Sequence, residues 1–431
     1  MKDGGRLAAA IEILTEVDER HRPVQEALKD WGNAHRFAGS GDRTIIGNLV
    51  FDALRHKRSL GWRMRSDTPR AIVLATYALS WALGPDRLQA VLAEDRHAPE
   101  AVSADEAAAL QMEPAERAPD AVAADVPDWL WPVFAGSLGA GAVREGQELA
   151  ARAPIDMRVN TLKATREKVA RRLQHIGVRE TPLSPVGLRV EPRPGPARLP
   201  HVQAEEGYRK GWFELQDEAS QLVALVAGAQ PGRQVLDFCA GGGGKTLALA
   251  ARMENRGQIY AFDSDRIRLA PIHERLARAG ARNVQVRPPH EGALDDLAGH
   301  MDLVFVDAPC TGTGVWRRRP DSKWRLTERA LAERVEDQAR VLEAAARFVR
   351  PGGLLAYVTC SVLVPENRQQ VAGFLSTHCD FETLSAAEAW TAALPGAPLP
   401  AHVSPEGHLT LTPATTGTDG FFIALLRRKP A

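Results

Sequence analysis

Apolar residues at helical spacing open the chain. Leu7, Ile11, Leu14 and Val17 fall on one face, and Ile46, Leu49, Val50, Ala53 and Leu54 repeat the pattern after the turn-like Gly39-Ser-Gly-Asp42. Residues 1–140 are therefore expected to form an all-α domain. The most apolar stretch, Ala71 to Leu83, is too short to span a bilayer and reads as a buried helix. From Glu94 to Asp128 ten Asp and Glu face only Arg96 and Arg117, an acidic, Ala/Pro-rich connection unsuited to a phosphate backbone. The pattern then changes. Over 141–215 short strand-like runs, Met157 to Leu162 and Leu188 to Glu191, flank a helix that Thr165 would cap, and a proline-rich loop follows from Glu191 to Pro200. This predicts a small α+β subdomain.

From residue 216 to 431 strand and helix patterns alternate, which predicts a mostly parallel α/β sheet. Candidate strands are Gln234 to Phe238, Gln258 to Phe262, Asn283 to Arg287, Leu303 to Asp307 and Leu354 to Thr359, with a long helix over about Leu326 to Val349. Such sheets bind ligands beyond the carboxyl ends of their strands. The first of these strands ends in Asp237-Phe-Cys-Ala-Gly-Gly-Gly-Gly-Lys-Thr246 and runs into a helix, so a nucleotide-like ligand is expected there. A phosphate loop needs a glycine where Cys239 stands, which counts against ATP or GTP. Asp263, about 20 residues on, suits the ribose of a dinucleotide or of another adenosyl cofactor equally well.

Composition narrows the class without deciding it. The 431 residues exceed one compact core, and Lys+Arg and Asp+Glu are both 54, so any nucleic acid must be met by local patches. Four cysteines without a C-x-x-C pair predict free thiols, no metal and a cytoplasmic protein that is not membrane-bound. Two of them, in Asp307-Ala-Pro-Cys310 and Thr359-Cys360-Ser361, lie just past strand ends, where the ligand is expected. Cys379 reads instead as a small buried apolar residue.

These motifs, with Arg158-Val-Asn-Thr-Leu-Lys163, Gln216-Asp217, Arg318-Arg-Arg-Pro-Asp-Ser-Lys-Trp324, Pro365-Glu-Asn367 and Asp419-Gly-Phe-Phe422, resemble the Sun/NOP family of RNA cytosine-5 methyltransferases, most closely its bacterial 16S ribosomal-RNA branch. The resemblance implies a Rossmann-like class I methyltransferase domain with a seven-stranded, mostly parallel sheet, preceded by an RRM-like RNA-binding subdomain and a NusB-like RNA-binding domain. It implies S-adenosyl-L-methionine as cofactor and RNA, 16S rRNA before tRNA, as partner of a monomeric enzyme. Cytosine C5 is a poor nucleophile, so a thiolate must first add at C6. Cys360 would be that nucleophile, Cys310 would aid release, Asp307 would orient the cytosine, and Lys245 is the candidate cation beside the thiolate.

For the cofactor, the resemblance implies a cradle of Cys239, Ala240, Gly241, Gly242, Gly243, Gly244 and Lys245, with Asp263 on the ribose and Arg268 and Asp307 nearby. The usual pattern is Ala-Ala-Pro-Gly-Gly-Lys; glycine in place of proline predicts a looser loop and weaker affinity. The acid expected near the adenine is missing, and His290 or Glu291 is the candidate substitute. The resemblance implies RNA contacts for Arg158, Asn160, Arg318, Lys323 and Trp324, and for the last three basic and aromatic side chains interleave from Trp316 to Arg325; the target cytosine must be single-stranded or flipped out. A non-catalytic RNA-binding or assembly factor with a weakened cofactor site stands as the alternative.

Overall fold

A computed structural model describes residues 1–112 and 116–430. The chain forms two compact units. One comprises Met1–Ala153, Pro192–Leu199 and Trp316–Leu326; the other comprises Pro154–Glu191, Pro200–Val315 and Thr327–Ala431. The small sheet thus shares a unit with the large one.

The first unit is helical where the apolar spacing predicts it. Helices Asp3–Arg20, Val24–Ala34 and Ser40–Arg55 turn Leu7, Ile13, Leu14, Ile46, Leu49 and Val50 into one buried core. Ala71–Ala78 lie inside it, as the apolar run requires. The basic segment 316–326 also belongs to this unit. Trp316 is buried and stacks on Phe134 at 5.8 Å between ring centres. Lys323, 1% exposed, points its ammonium at the Arg55 carbonyl and over the Trp316 and Trp324 rings. The Trp324 indole N–H donates to the Leu54 carbonyl at 2.7 Å. Among the described residues no helix is long and apolar enough to cross a membrane.

The second unit carries two sheets. β1 (Ile155–Val159), β2 (Arg179–Glu180), β3 (Gly187–Val190) and β4 (Phe213–Leu215) form an antiparallel sheet in the order β2-β3-β1-β4, and Thr165 caps the helix Arg166–Arg172. The large sheet contains β5 (Gln234–Asp237), β6 (Gln258–Ala261), β7 (Val284–Val286), β8 (Met301–Asp307), β9 (Val349–Thr359), β10 (Phe381–Leu384), β11 (His402–Val403), β12 (Leu409–Leu411) and β13 (Phe421–Arg428). Its order is β11-β12-β13-β9-β8-β5-β6-β7, with β10 also on β13. β5 to β9 run parallel and β13 is antiparallel to β9.

Among the described residues the sheet therefore has nine strands, where the resemblance implies seven. β13 is long enough to pair with β12 near Phe421–Ile423 and with β10 near Leu425–Arg428, and β11 extends the edge beyond β12. Strands of two or three residues show no alternation of period two, so the pattern could not reveal them. The predicted long helix is present as Glu328–Ala346.

Candidate active site

The chemistry gathers past the carboxyl ends of β5, β6, β8 and β9. Parallel pairing in the order β9-β8-β5-β6 brings these ends side by side. Beyond β5 the glycine loop turns at Gly241 and Gly243, whose φ angles are +49° and +81°. Both lie in the left-handed region that glycine enters without penalty. A Cβ on Gly243 would also meet Ile272 Cγ1 at 2.5 Å. The Gly241 N–H donates to Asp263 Oδ2 at 2.8 Å, which ties the loop to the end of β6, and Arg268 lies 3.8 Å from the same oxygen. Asp263 is buried, and its other oxygen accepts the Asp265 N–H at 2.9 Å.

Behind the loop Asp237 is fully buried. Its Oδ2 accepts from the Thr246 hydroxyl at 2.7 Å, while Oδ1 has no hydrogen-bond partner among the described residues, and burial pushes the carboxyl pKa up to about 7. Burial likewise raises the Cys239 thiol, with the charges of Asp263 and Asp307 adding to it, so that sulfur stays protonated. Lys245 reaches out of the loop to Asp307 Oδ2 at 2.5 Å, its ammonium 5.1 Å from the Phe421 ring centre. Burial opposes that charge, yet the Lys245 pKa is raised, because the Asp307 charge and hydrogen bond outweigh it and a charge at Cys360 adds to them. Lys245 thus stands as a fixed cation on Asp307, near enough to Cys360 to interact with a charge there.

The two cysteines meet. Cys310 Sγ lies 3.3 Å from Cys360 Sγ. The hydrogen bond to Cys360, then burial, then the Cys360 charge raise the Cys310 pKa, so the Cys310 thiol keeps its proton. The turns that carry them share a buried carboxylate. Glu366 accepts from the Thr311 N–H at 2.7 Å, the Thr311 hydroxyl at 2.5 Å, the Gln338 amide at 3.0 Å and the Ser361 hydroxyl. Gly314 in turn receives the Gly420 N–H on its carbonyl at 2.8 Å, and a Cβ there would sit 2.1 Å from Gly420 O. The Asp-Gly-Phe-Phe segment is thus packed directly behind the Cys310 turn.

Other expected residues are placed differently. Arg158 and Asn160 are buried: the Arg158 Nε donates to Gln216 at 2.6 Å, and the Asn160 amide bridges the Gly211 and Ala279 carbonyls. Lys323 is buried as well, so Arg158, Asn160 and Lys323 do not offer the RNA contacts expected of them; Trp324 is half-buried with its N–H on the Leu54 carbonyl, and Arg318 is half-buried in the same segment. The buried groups turn inward: the Arg158 Nε, the Asn160 amide and the Lys323 ammonium donate to acceptors inside the fold, while Arg158 Nη2 has no hydrogen-bond partner among the described residues. His290 sits in an exposed loop after β7 with its ring on the Glu291 carbonyl. Cys379 is exposed, not buried, because it lies at the turn before β10.

Sequence reasoning gave no role to Glu366, Gln338 or Arg275. For Glu366 a signal existed, a lone acid two residues past the apolar Leu363-Val364; for the other two only the fold brings the partners together.

Residues 224–427 match the family described as 16S rRNA methyltransferase RsmB/F. The probable ribosomal RNA small subunit methyltransferase B of Synechocystis sp. is 33% identical over 327 residues, which cover 70% of this chain and 66% of the relative. Ribosomal RNA small subunit methyltransferase B of Sodalis glossinidius is 35% identical over 279 residues, covering 63% and 59%. The matched stretches therefore span just under two thirds of these relatives. Among solved structures, PH0851 superposes with a TM-score of 0.72 at 25% identity over 98% of both chains. A methyltransferase homolog protein from Pyrococcus horikoshii superposes with a TM-score of 0.59 at 27% identity, covering 72% of this chain and 97% of that one.

Proposed function

We propose, from the premise that this chain belongs to the 16S rRNA methyltransferase RsmB/F family, that it methylates C5 of a cytosine in RNA, with 16S rRNA as substrate and Cys360 as nucleophile. The observation that carries the reading is the thiol pair at 3.3 Å beside the Lys245–Asp307 ion pair, at the mouth of the glycine loop. Two facing thiols have no role in direct methylation of an amino or hydroxyl group. They do have one where a carbon must first be activated by addition and later released.

The family is of the S-adenosylmethionine-dependent class, and the residues fit that group. The loop carries no side chain from Gly241 to Gly244, Asp263 offers a buried carboxylate for ribose hydroxyls, and an oxygen of Asp237 behind the loop lacks a hydrogen-bond partner among the described residues. When bound, the cofactor supplies an electrophilic methyl group. The chain's own residues do the rest. Cys360, as thiolate, adds to cytosine C6 and pushes electron density to C5, while Asp307 holds the ring nitrogen or exocyclic amine by hydrogen bonding. After transfer the C5 proton leaves, the C5–C6 double bond re-forms and Cys360 departs as thiolate. Cys310 suits this last step: once Cys360 is bonded to carbon, the hydrogen bond and charge that raise the Cys310 pKa are gone, the Cys310 proton passes to solvent, and the resulting thiolate takes the C5 proton as Cys360 leaves. The helical unit is read as the NusB-like part that holds RNA, and a monomer in the cytoplasm suffices.

Expression of Cys310→Ala in cells tests the reading. RNA joined covalently to the protein under denaturing conditions is expected, and its sequence identifies the substrate as 16S rRNA or tRNA. Cys360→Ala should give neither adduct nor methylation; a fully active Cys360→Ala enzyme refutes the mechanism.

A further inference from the structure

Four consecutive glycines leave the loop with no side chain of its own to hold it, so something outside must fix its shape. We propose that Arg275 is that positioning residue: its guanidinium clamps the glycine loop through the Gly242 carbonyl and sets the loop for the adenosyl cofactor. The inference rests on the cofactor reading above.

The helix Ile272–Ala279 forms the back wall of the loop. One turn apart on the same face, Ile272 fills the space where a Gly243 Cβ would stand, and Arg275 reaches Gly242. Arg275 Nη1 donates to Gly242 O at 2.6 Å, and Nη2 pairs with Glu214 Oε2 at 3.0 Å. Glu214 lies on β4, is 3% exposed, and binds a second guanidinium, that of Arg278, through its other oxygen at 2.6 Å. The arginine is thus anchored at one end of its fork and grips the loop with the other. The same guanidinium is 3.2 Å from the position of a Gly242 Cβ and 3.8 Å from that of Gly244, so it occupies the flank that bare glycine leaves open. A glycine where the family pattern has proline need not loosen this loop. The conformational restriction that a proline ring would have supplied from within comes from a fixed charge outside.

Arg278 makes the matching control. It shares the Glu214 anchor, and its guanidinium lies over the Tyr208 ring at 4.3 Å. If the effect ran only through Glu214 and the β4 packing, the two arginines would be equivalent.

The test measures adenosylmethionine binding by calorimetry on the full-length protein, with melting curves for each variant. A guanidinium hydrogen bond to a carbonyl corresponds to a change of roughly tenfold to a hundredfold in affinity. Arg275→Ala is expected to weaken binding by about tenfold or more on that basis. Arg275→Lys, which can still donate to Gly242 O, recovers most of it, and Arg278→Ala stays within about twofold of wild type. Gly242→Ala attacks the same contact from the loop side and should also weaken binding, which keeps the test open should Arg275→Ala unfold. Unchanged affinity in both Arg275→Ala and Gly242→Ala overturns the clamp, as does an equal loss in Arg278→Ala. A wild-type protein that binds no adenosylmethionine overturns the cofactor reading itself, and the clamp with it.

Discussion

Replacing Lys323 by methionine separates two accounts of the basic segment. Interleaved Arg, Lys and Trp read as an RNA contact in sequence, yet the Lys323 ammonium is enclosed between Trp316, Trp324 and the Arg55 carbonyl. Burial, opposed by Asp125 and aided by Arg55, lowers its pKa from 10.5 to about 8. At about 1.4 kcal/mol per tenfold, that depression corresponds to about 3 kcal/mol of penalty on the charged form. Lys323→Met keeps the volume and removes the penalty. The attraction of Asp125 is already inside that net depression, so the remaining loss is the donor to Arg55 O, at 3.3 Å a weak bond, which returns about 1 kcal/mol. The net gain at neutral pH is therefore about 2 kcal/mol.

The pH dependence is the sharper quantity. The folded pKa lies below the unfolded one, so between about pH 8 and 10.5 the unfolded chain binds the extra proton. Wild-type stability accordingly gains a contribution as pH rises through this window, and the full penalty applies below it. The methionine variant lacks that contribution. Urea melts of both proteins from pH 7.5 to 10.5 should show the variant's advantage shrinking, then reversing, by about 3 kcal/mol in total. RNA affinity measured by filter binding should be unchanged. A stability difference that is flat with pH, or a variant that loses RNA affinity severalfold, refutes the buried-cation account and restores the surface reading.

Two further outcomes follow from other buried groups. Glu366→Gln replaces a two-oxygen acceptor that serves Thr311, Gln338 and Ser361 with one oxygen and an N–H pair that faces donors. Because this carboxylate joins the turns of Cys310 and Cys360, methylation should fall at least about tenfold while adenosylmethionine affinity holds; equal losses in both would assign Glu366 to general folding. Asp237, with a carboxyl pKa raised to about 7, binds a proton in the folded state that the unfolded chain releases above about pH 4, so its contribution to stability falls as pH rises from about 4 to 7. Asp237→Asn keeps an acceptor for the Thr246 hydroxyl and abolishes this dependence, so melts of the two proteins at pH 5 and pH 7.5 should diverge in favour of the variant at the higher pH. Parallel curves would contradict it.

How far these residues were legible in the sequence depends on where each finds its partners. Cys310, Cys360, Asp263 and the glycine loop sit at strand ends, and a parallel sheet brings such ends together whatever the details of its packing. Their juxtaposition follows from the alternation of strand and helix patterns alone. Lys323 and Trp324 depend instead on which surface receives them. A run of basic and aromatic residues has the same composition whether it meets RNA or packs into its own protein, and only the helical unit's core, which lies some 270 positions earlier in the chain, decides it. Arg158 and Asn160 were hidden for the same reason, since Gln216, Gly211 and Ala279 are distant in sequence. Arg275 shows the converse. Its partners, Gly242 and Glu214, lie 33 and 61 positions away, so the loop looks underdetermined when its own residues are read and is held when the fold is complete. A departure from a family pattern is thus not by itself a loss: a missing constraint inside a loop can be supplied by a charge that the surrounding elements hold in place.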